Sequence, residues 1–307
     1  MIFLPYKMDA RTRGIPLFTG AICLVCMMVF WKQLQNDQHY FEALTAFCAK
    51  DLERSDWIVL KNLSVVKGGR RCPDVFLDIR ESGEPETTIA AWIDTAAPLG
   101  IFLNAKDDWD YQYGHLLETY QRFERRVPTS LTDKLAYDPK NPDLWTMVSS
   151  TFSHGSLEHL MGNLLFFYIF AASVELVLGY LRFALFILTS IVVTSLAYTY
   201  ATLSLDVAMP TIGLSGVVMA NVVALAVMLP EARIRCFFWF LLIIRFFHVP
   251  AIMIAAWFVG WDLYEMRHQG SGSMTNYVAH VSGAGWGALT GLLMRVLSPI
   301  RIQAASK

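Results

Sequence analysis

Six apolar stretches dominate this 307-residue chain and leave few architectures open to it. A helix needs roughly 20 apolar residues to cross a bilayer. The stretches cover 15–33, Leu157 to Leu178, Phe183 to Leu203, Ser215 to Leu229, part of 236–266, and Tyr277 to Leu297. Inside lipid each backbone polar group must be satisfied within its own segment, so such stretches imply an all-α membrane bundle. Composition agrees: 55% of residues are hydrophobic and only 17% charged, where soluble domains carry about 25% charged. The formal net charge of −1 offers nucleic acid no basic surface.

The fifth stretch is too long for one span and contains Arg245, His248 and Pro250. It reads as a cytoplasmic interfacial piece over 236–249, then a span from Pro250 to about Tyr264. Proline opens a helix well because its missing N–H costs nothing in the first turn. Basic residues in short connections orient the bundle. Lys7, Arg11 and Arg13 precede the first span, and Arg182 lies between the second and third. Arg233, Arg235 and Arg245 lie between the fourth and fifth, and Arg295, Arg301 and Lys307 close the chain. With six spans all fall on one side, which is then cytoplasmic. The expected organisation is a cytoplasmic segment 1–14, a first span 15–33, an extracytoplasmic insert 34–144, a catalytic core 145–298 and a cytoplasmic tail 299–307. The connections 204–214 and 265–276 then lie outside with the insert. A basic start before an apolar run also describes a signal peptide, but no small-residue cleavage site follows Trp31.

The insert reads as a small α+β domain. Phe41, Leu44, Phe47 and Leu52 have helical spacing, and Tyr111 to Arg125 looks helical. Ile58 to Val66 and Val75 to Ile79 look like strands, with a turn at Ser82-Gly83 before Pro85. Trp109, Tyr111 and Tyr113 are open to two readings, interfacial anchors or ordinary aromatics. Cys23, Cys26 and Cys236 read as small apolar filler. Cys48 and Cys72 leave a disulfide open, if the insert faces an oxidising compartment.

Four polar side chains lie within about two turns of the outer ends of their spans: His159, Asn163, Ser215 and His280. Such residues in spans are rare and face the bundle interior or a water-filled cavity. A serine hydroxyl becomes a nucleophile only when a base removes its proton, and His280 is the candidate base. His159 and Asn163, spaced i, i+4, project from one helix face and can donate hydrogen bonds to an oxyanion. The backbone N–H of Ser215, in the first turn of its helix, can add another. Asp262 is the one aspartate near that depth. Flanked by Trp261 and Leu263, it reads as an interface marker, so the expectation is a Ser215–His280 dyad rather than a triad. Gly283, Gly287 and Gly291 follow His280 on one stripe, and Gly213, Gly216 and Ala220 lie around Ser215. Small residues every four positions let membrane helices approach closely, which would bring Ser215 to His280.

A metal site is the other chemical option, since His154, Glu158, His159 and His280 include usual zinc ligands. His154 and His159 diverge by about 140° on a helix of 3.6 residues per turn. No H-E-x-x-H is present. No metal and no cofactor are therefore expected.

Together these residues resemble the rhomboid family of intramembrane serine proteases. The carriers are Ser153-His154-Gly155-Ser156-Leu157-Glu158-His159-Leu160-Met161-Gly162-Asn163, Glu175 with Gly179, Gly213-Leu214-Ser215-Gly216, and Ala279-His280-Val281-Ser282-Gly283 with Gly287. The resemblance spans about Trp145 to Leu297 plus the first span. It implies a six-helix bundle, a Ser215–His280 dyad, an oxyanion site including His159 and Asn163, and cleavage of transmembrane substrates near the outer face. His154 and Glu175 match positions that look structural in the family. Three features depart from the pattern. Thr146 follows Trp145 where many members have arginine, Met219 stands where bacterial relatives often place an aromatic against the histidine, and the insert is long. The expected setting is a bacterial inner membrane, with lipid and transmembrane proteins as partners. A non-proteolytic rhomboid-like protein that binds membrane clients is the alternative. A transporter would need charged residues lining a midplane path, and the sequence shows no such path. The sequence does not specify an oligomeric state.

Overall fold

The computed structural model describes residues 2–9, 14–66, 71–203, 208–240, 243–268 and 275–297. The expected tail 299–307 therefore lies outside the described residues, as do Arg11, Arg13, Arg301, Lys307 and parts of the two outer connections, 204–207 and 269–274.

In chain order, strand β1 (Ile2–Asp9) precedes a long helix α1 (Leu17–Ala46) that ends in a π-helical turn, Phe47–Asp51. Helices α2 (Arg54–Val66), α3 (Cys72–Glu81), α4 (Pro85–Asp94) and α5 (Ala105–Arg126) follow. Then come short helices α6 (Leu131–Leu135) and α7 (Leu144–Phe152), and the helices α8 (Leu157–Leu178), α9 (Tyr180–Thr202) and α10 (Ser215–Met228). Strands β2 (Arg233–Phe240) and β3 (Ile243–Pro250) lead into α11 (Ala251–His268) and α12 (Tyr277–Leu297). The chain divides into two compact units, one of residues 1–33 with 131–307, the other of residues 34–130.

Among the described residues, three helical segments are long and apolar enough to cross a membrane: Leu17–Asp51, Leu157–Leu178 and Tyr180–Thr202. Helix α10 is equally apolar but only 14 residues long. Helices α11 and α12 occupy the positions of the fifth and sixth expected spans. Asp262, Glu265 and Arg267 dilute the first of them, and Gly283, Gly285, Gly287 and Gly291 the second.

Within the span-bearing unit, α10 is the central element. It packs against α8, α9, α11 and α12, and nearly every residue from Gly216 to Met228 is buried. The base of α8 clasps the start of α1. The fully buried Glu175 carboxylate accepts the N–H groups of Phe18 (2.9 Å) and Thr19 (2.8 Å) and the Thr19 hydroxyl (2.6 Å). Free N–H donors and the helix dipole make a first turn a natural seat for an anion. Of the piece 236–249, expected to be interfacial, residues 236–240 and 243–249 lie in two strands, β2 and β3. Strands β2 and β3 pair antiparallel in unbroken register, and β1 adds to β2. The expected break at Pro250 coincides with the last residue of β3.

The unit 34–130 corrects the α+β expectation: its described residues are helical, and the two expected strands are α2 and α3. Cys72, Val75, Phe76 and Ile79 are all buried at i, i+3, i+4, i+7, one helical face. Phe47, Phe76 and Phe123 stack at its centre, with ring centroids 5.1–5.5 Å apart. The Cys48–Cys72 disulfide ties the π-helical turn to the start of α3. Trp109 lies on Tyr113 at 4.8 Å and donates to Asp94, so within this unit it has ordinary packing partners. The buried Asp56 accepts from Thr119 and Arg122 and lies 2.9 Å from His115. Burial works to raise its carboxyl pKa, but the Glu53 N–H, Thr119 and Arg122 together hold it below the usual value.

Candidate active site

The loop before α10 is fixed by backbone. Tyr137 and Thr211 exchange a pair of 2.9 Å hydrogen bonds, and the Gly213 N–H donates to the Ser150 carbonyl at 2.8 Å. Gly213 adopts φ +124°, a conformation side-chain-bearing residues avoid. A Cβ there would meet Cε1 and Nε2 of His159, both at 2.8 Å, and would approach Asn163 Nδ2 at 3.7 Å. The absent side chain thus lets the His159 imidazole rest on the backbone two residues before Ser215. Ser215 is the first residue of α10 and is partly accessible.

His159 and Asn163 are placed by α8. Its N-cap is Ser156, whose hydroxyl accepts the His159 N–H at 3.1 Å. Capping by serine satisfies one of the four free donors at a helix start. The Asn163 amide nitrogen is buried with no hydrogen-bond partner in the structure. A buried unsatisfied donor is costly unless something else uses it. Beneath them His154 is buried and meets His159 edge-on, with ring centroids 5.1 Å apart. Its N–H donates to Gln33 Oε1 at 3.1 Å, and Gln33 Nε2 donates to Thr132 at 2.8 Å. Burial, reinforced by neighbouring His159, lowers the His154 pKa to about 4. Trp145 lies in the first turn of α7, which is fixed without arginine: Asp143 caps the helix by accepting the Thr146 N–H at 3.0 Å.

His280 comes from α12. The cap of that helix is Asn276, which accepts the Ala279 N–H at 2.9 Å and donates to the Thr211 hydroxyl at 3.2 Å. One side chain therefore links the start of α12 to the loop carrying Ser215. The helices then meet backbone to backbone. A Cβ on Gly283 would fall 2.1 Å from the Gly216 carbonyl, and one on Gly287 would fall 2.2 Å from that of Ala220. Gly216 in turn faces the Ala279 carbonyl. Ser215 and His280 adjoin this point of closest approach, being direct neighbours of Gly216 and Ala279 in sequence.

Sequence reasoning treated Asp262 as an interface marker. It is 6% exposed, and its Oδ2 lies 3.1 Å from His280 Nδ1. The His280 ring also meets Tyr277 edge-on, while Met219 is buried in α10. Gln33 and Asn276 were missed as well. A capping asparagine just before an apolar run was a readable signal, whereas nothing local marks Gln33. Beside Ser215 lies a cavity of about 30 Å³ whose lining residues include Ser150, Thr151, Thr194 and Thr211. A cavity of that size is large enough for one water molecule.

Residues 141–296 match the Rhomboid domain family model, about half of the chain. The chain is 28% identical over 173 residues to presenilin-associated rhomboid-like protein A, mitochondrial, of Danio rerio, covering 53% of this chain and 42% of that protein. It is 26% identical over 172 residues to the Mus musculus protein of that name, with the same coverage. The Homo sapiens protein is 28% identical over 117 residues, covering 37% of this chain and 31% of its own length. The chain thus spans less than half the length of these relatives. Their names place them in mitochondria, which does not fit the bacterial inner membrane expected from sequence.

Proposed function

Because the chain belongs to the rhomboid family, we propose that it is an intramembrane serine endopeptidase cleaving transmembrane protein substrates. The observation that carries this reading is the helix contact at Gly216 and Gly283. It brings the start of α10, with Ser215, against the first turns of α12, with His280. His280 takes the Ser215 proton, and Oγ attacks a substrate carbonyl. The oxyanion is met by donors aimed at one region, the His159 ring, the Asn163 amide and the Ser215 N–H. The unpaired Asn163 amide supports this, because the oxyanion supplies the partner it lacks. The cavity beside Ser215, large enough for one water molecule, supports delivery of the water that releases the acyl-enzyme. A helical substrate hides its carbonyls, so glycine or proline near the cut favours cleavage.

Around this core we read six spans, with α10, α11 and α12 as the last three. The basic connections face the cytoplasm and the insert 34–144 lies outside. The Cys48–Cys72 disulfide supports an oxidising side for the insert. The first prediction tests the chemistry. In the full chain, Ser215→Ala abolishes both cleavage of a transmembrane peptide and fluorophosphonate labelling while leaving helical content unchanged. Persistent cleavage by that variant refutes the mechanism. A second reading, a non-proteolytic binder of membrane clients, draws on the relatives' names, which describe association with presenilin. Wild-type protein that folds but neither cleaves nor labels supports that reading.

A further inference from the structure

We infer that the outward face of the three-stranded sheet is a docking surface for an anionic bilayer, met by cations at one end of the face and by aromatic side chains at the other. This goes beyond the proteolytic reading and does not depend on it.

The sheet has two unlike faces. Successive residues of a strand point to opposite sides. In β2, Ile234 and Cys236 are fully buried, in the same core as α8 and α10, so Arg233, Arg235 and Phe237 point away from it. Register sets His248 opposite Arg235 and Phe246 opposite Phe237. The outward face is therefore basic over Arg233, Arg235 and His248, all exposed, and apolar over Phe237, Phe246 and Ile244. Phe246 and Ile244 are 67% and 56% exposed, and the Phe237 and Phe246 rings meet at 5.3 Å. From 232 to 261 the chain holds three arginines and no aspartate or glutamate. Two of those arginines, Arg233 and Arg235, lie on this face. The acidic residues adjoining it in sequence and register are Glu231 and Asp9, the second opposite Arg233. The next row sets Lys7 opposite Arg235.

This pattern fits an anion and hydrocarbon side by side. Like charges directly opposite one another destabilise a sheet, and an anion lying against the row offsets that repulsion. Exposed aromatic and aliphatic side chains gain by leaving water. The headgroup layer of a bilayer meets both needs, since anionic phosphates lie immediately over acyl chains there. The sheet is also held close to that layer. Strand β1 ends at Asp9, eight residues before α1, a helix long and apolar enough to cross a membrane. A connection of that length reaches roughly 30 Å at full stretch. Strand β1 also packs on α8, another such helix, whose Glu175 holds the first turn of α1. The sheet is thus tied to the ends of two membrane-capable helices, within reach of the bilayer surface.

The test uses full-length protein, one copy per nanodisc, in discs of phosphatidylcholine with or without phosphatidylglycerol. Amide hydrogen exchange is followed in β3, the edge strand of the sheet. It should slow by at least about 10-fold when the anionic lipid is present, because lipid contact favours the paired strand. Exchange in α8 should not change. About 1 M salt should cancel the slowing, since charges are then screened within roughly 3 Å. Arg233→Gln combined with Arg235→Gln should cancel it as well. Equal exchange of the wild type in the two kinds of disc overturns the inference, and that comparison requires no variant to fold. Slowing that survives both salt and the double substitution overturns it in favour of apolar contact alone. Slowing that requires two copies per disc overturns it in favour of contact between copies. Slowing that inorganic phosphate reproduces in neutral discs overturns it in favour of a site for a free anion.

Discussion

His154 shows how a single residue reports on the whole site. It is buried under His159, and neither ring nitrogen has a hydrogen-bond partner in the structure. Its pKa is lowered from 6.5 to about 4, first by burial and then by His159. The sign of the pH effect follows from proton counts. Between pH 6.5 and 4 the unfolded chain binds a proton at this position and the folded chain does not, so acid favours unfolding. Stability should fall through that window by about 3 kcal/mol and level off below it. Thermal unfolding of the wild type and His154→Asn across pH 4–7 checks this. Equal pH slopes in the two proteins count against a neutral buried His154. The residue itself was legible, since its position in the motif looked structural. The Gln33 that accepts its backbone N–H, and the Thr132 that Gln33 bonds in turn, were not, because they lie 121 and 22 residues away and no period links them.

At the scale of elements, α12 is the clearest case of a helix whose sequence dictates its packing. Gly287 lies where a Cβ would meet the Ala220 backbone, whereas a Cβ on Gly285 would meet nothing within 4 Å. Gly287→Ala should therefore destabilise the bundle by about 1–3 kcal/mol through overpacking. Gly285→Ala, on the open face, should be neutral or stabilising by up to about 1 kcal/mol. Unfolding in detergent compares the two, and equal effects would show that close helix contact is not what the stripe serves. The stripe was legible because small residues at four-residue spacing have one common use in membranes. The insert shows the opposite outcome. Val59, Leu60 and Leu63, and then Val75, Phe76 and Ile79, carry a helical period. In sequence these segments look like strands, and in the structure the helical period prevails. Tertiary burial overrides β propensity, which is a weak preference. Arg71 and Pro73, flanking Cys72 at the start of α3, were a start signal that went unused: the Arg71 N–H is held by Asp74, and proline sits within the first turn.

At the scale of the molecule, the chain divides into two compact units, each with its own core. The disulfide belongs wholly to residues 34–130 and closes a segment of 24 residues. Removing such a cross-link costs about 3 kcal/mol through the entropy of the unfolded chain. Cys48→Ser should therefore speed amide hydrogen exchange in α2 and α3 and leave α8 and α10 unchanged. Uniform loosening of every helix, or none, would contradict the division into units. Whether Cys48 and Cys72 pair was open in the sequence, because spacing alone does not show a bond.

The clasp at Glu175 has a consequence for synthesis. The carboxylate that receives the N–H groups of Phe18 and Thr19 lies 157 and 156 residues downstream of them. At about 5–20 residues per second, a ribosome takes roughly 10–30 s to cover that distance. Helix α1 is thus made, and enters lipid, long before its anchor exists. For that interval its free first turn must be met by water, by headgroups or by an assisting protein. The arrival of α8 then displaces that provisional partner, and the chain recaptures its own first helix before its last helices are made.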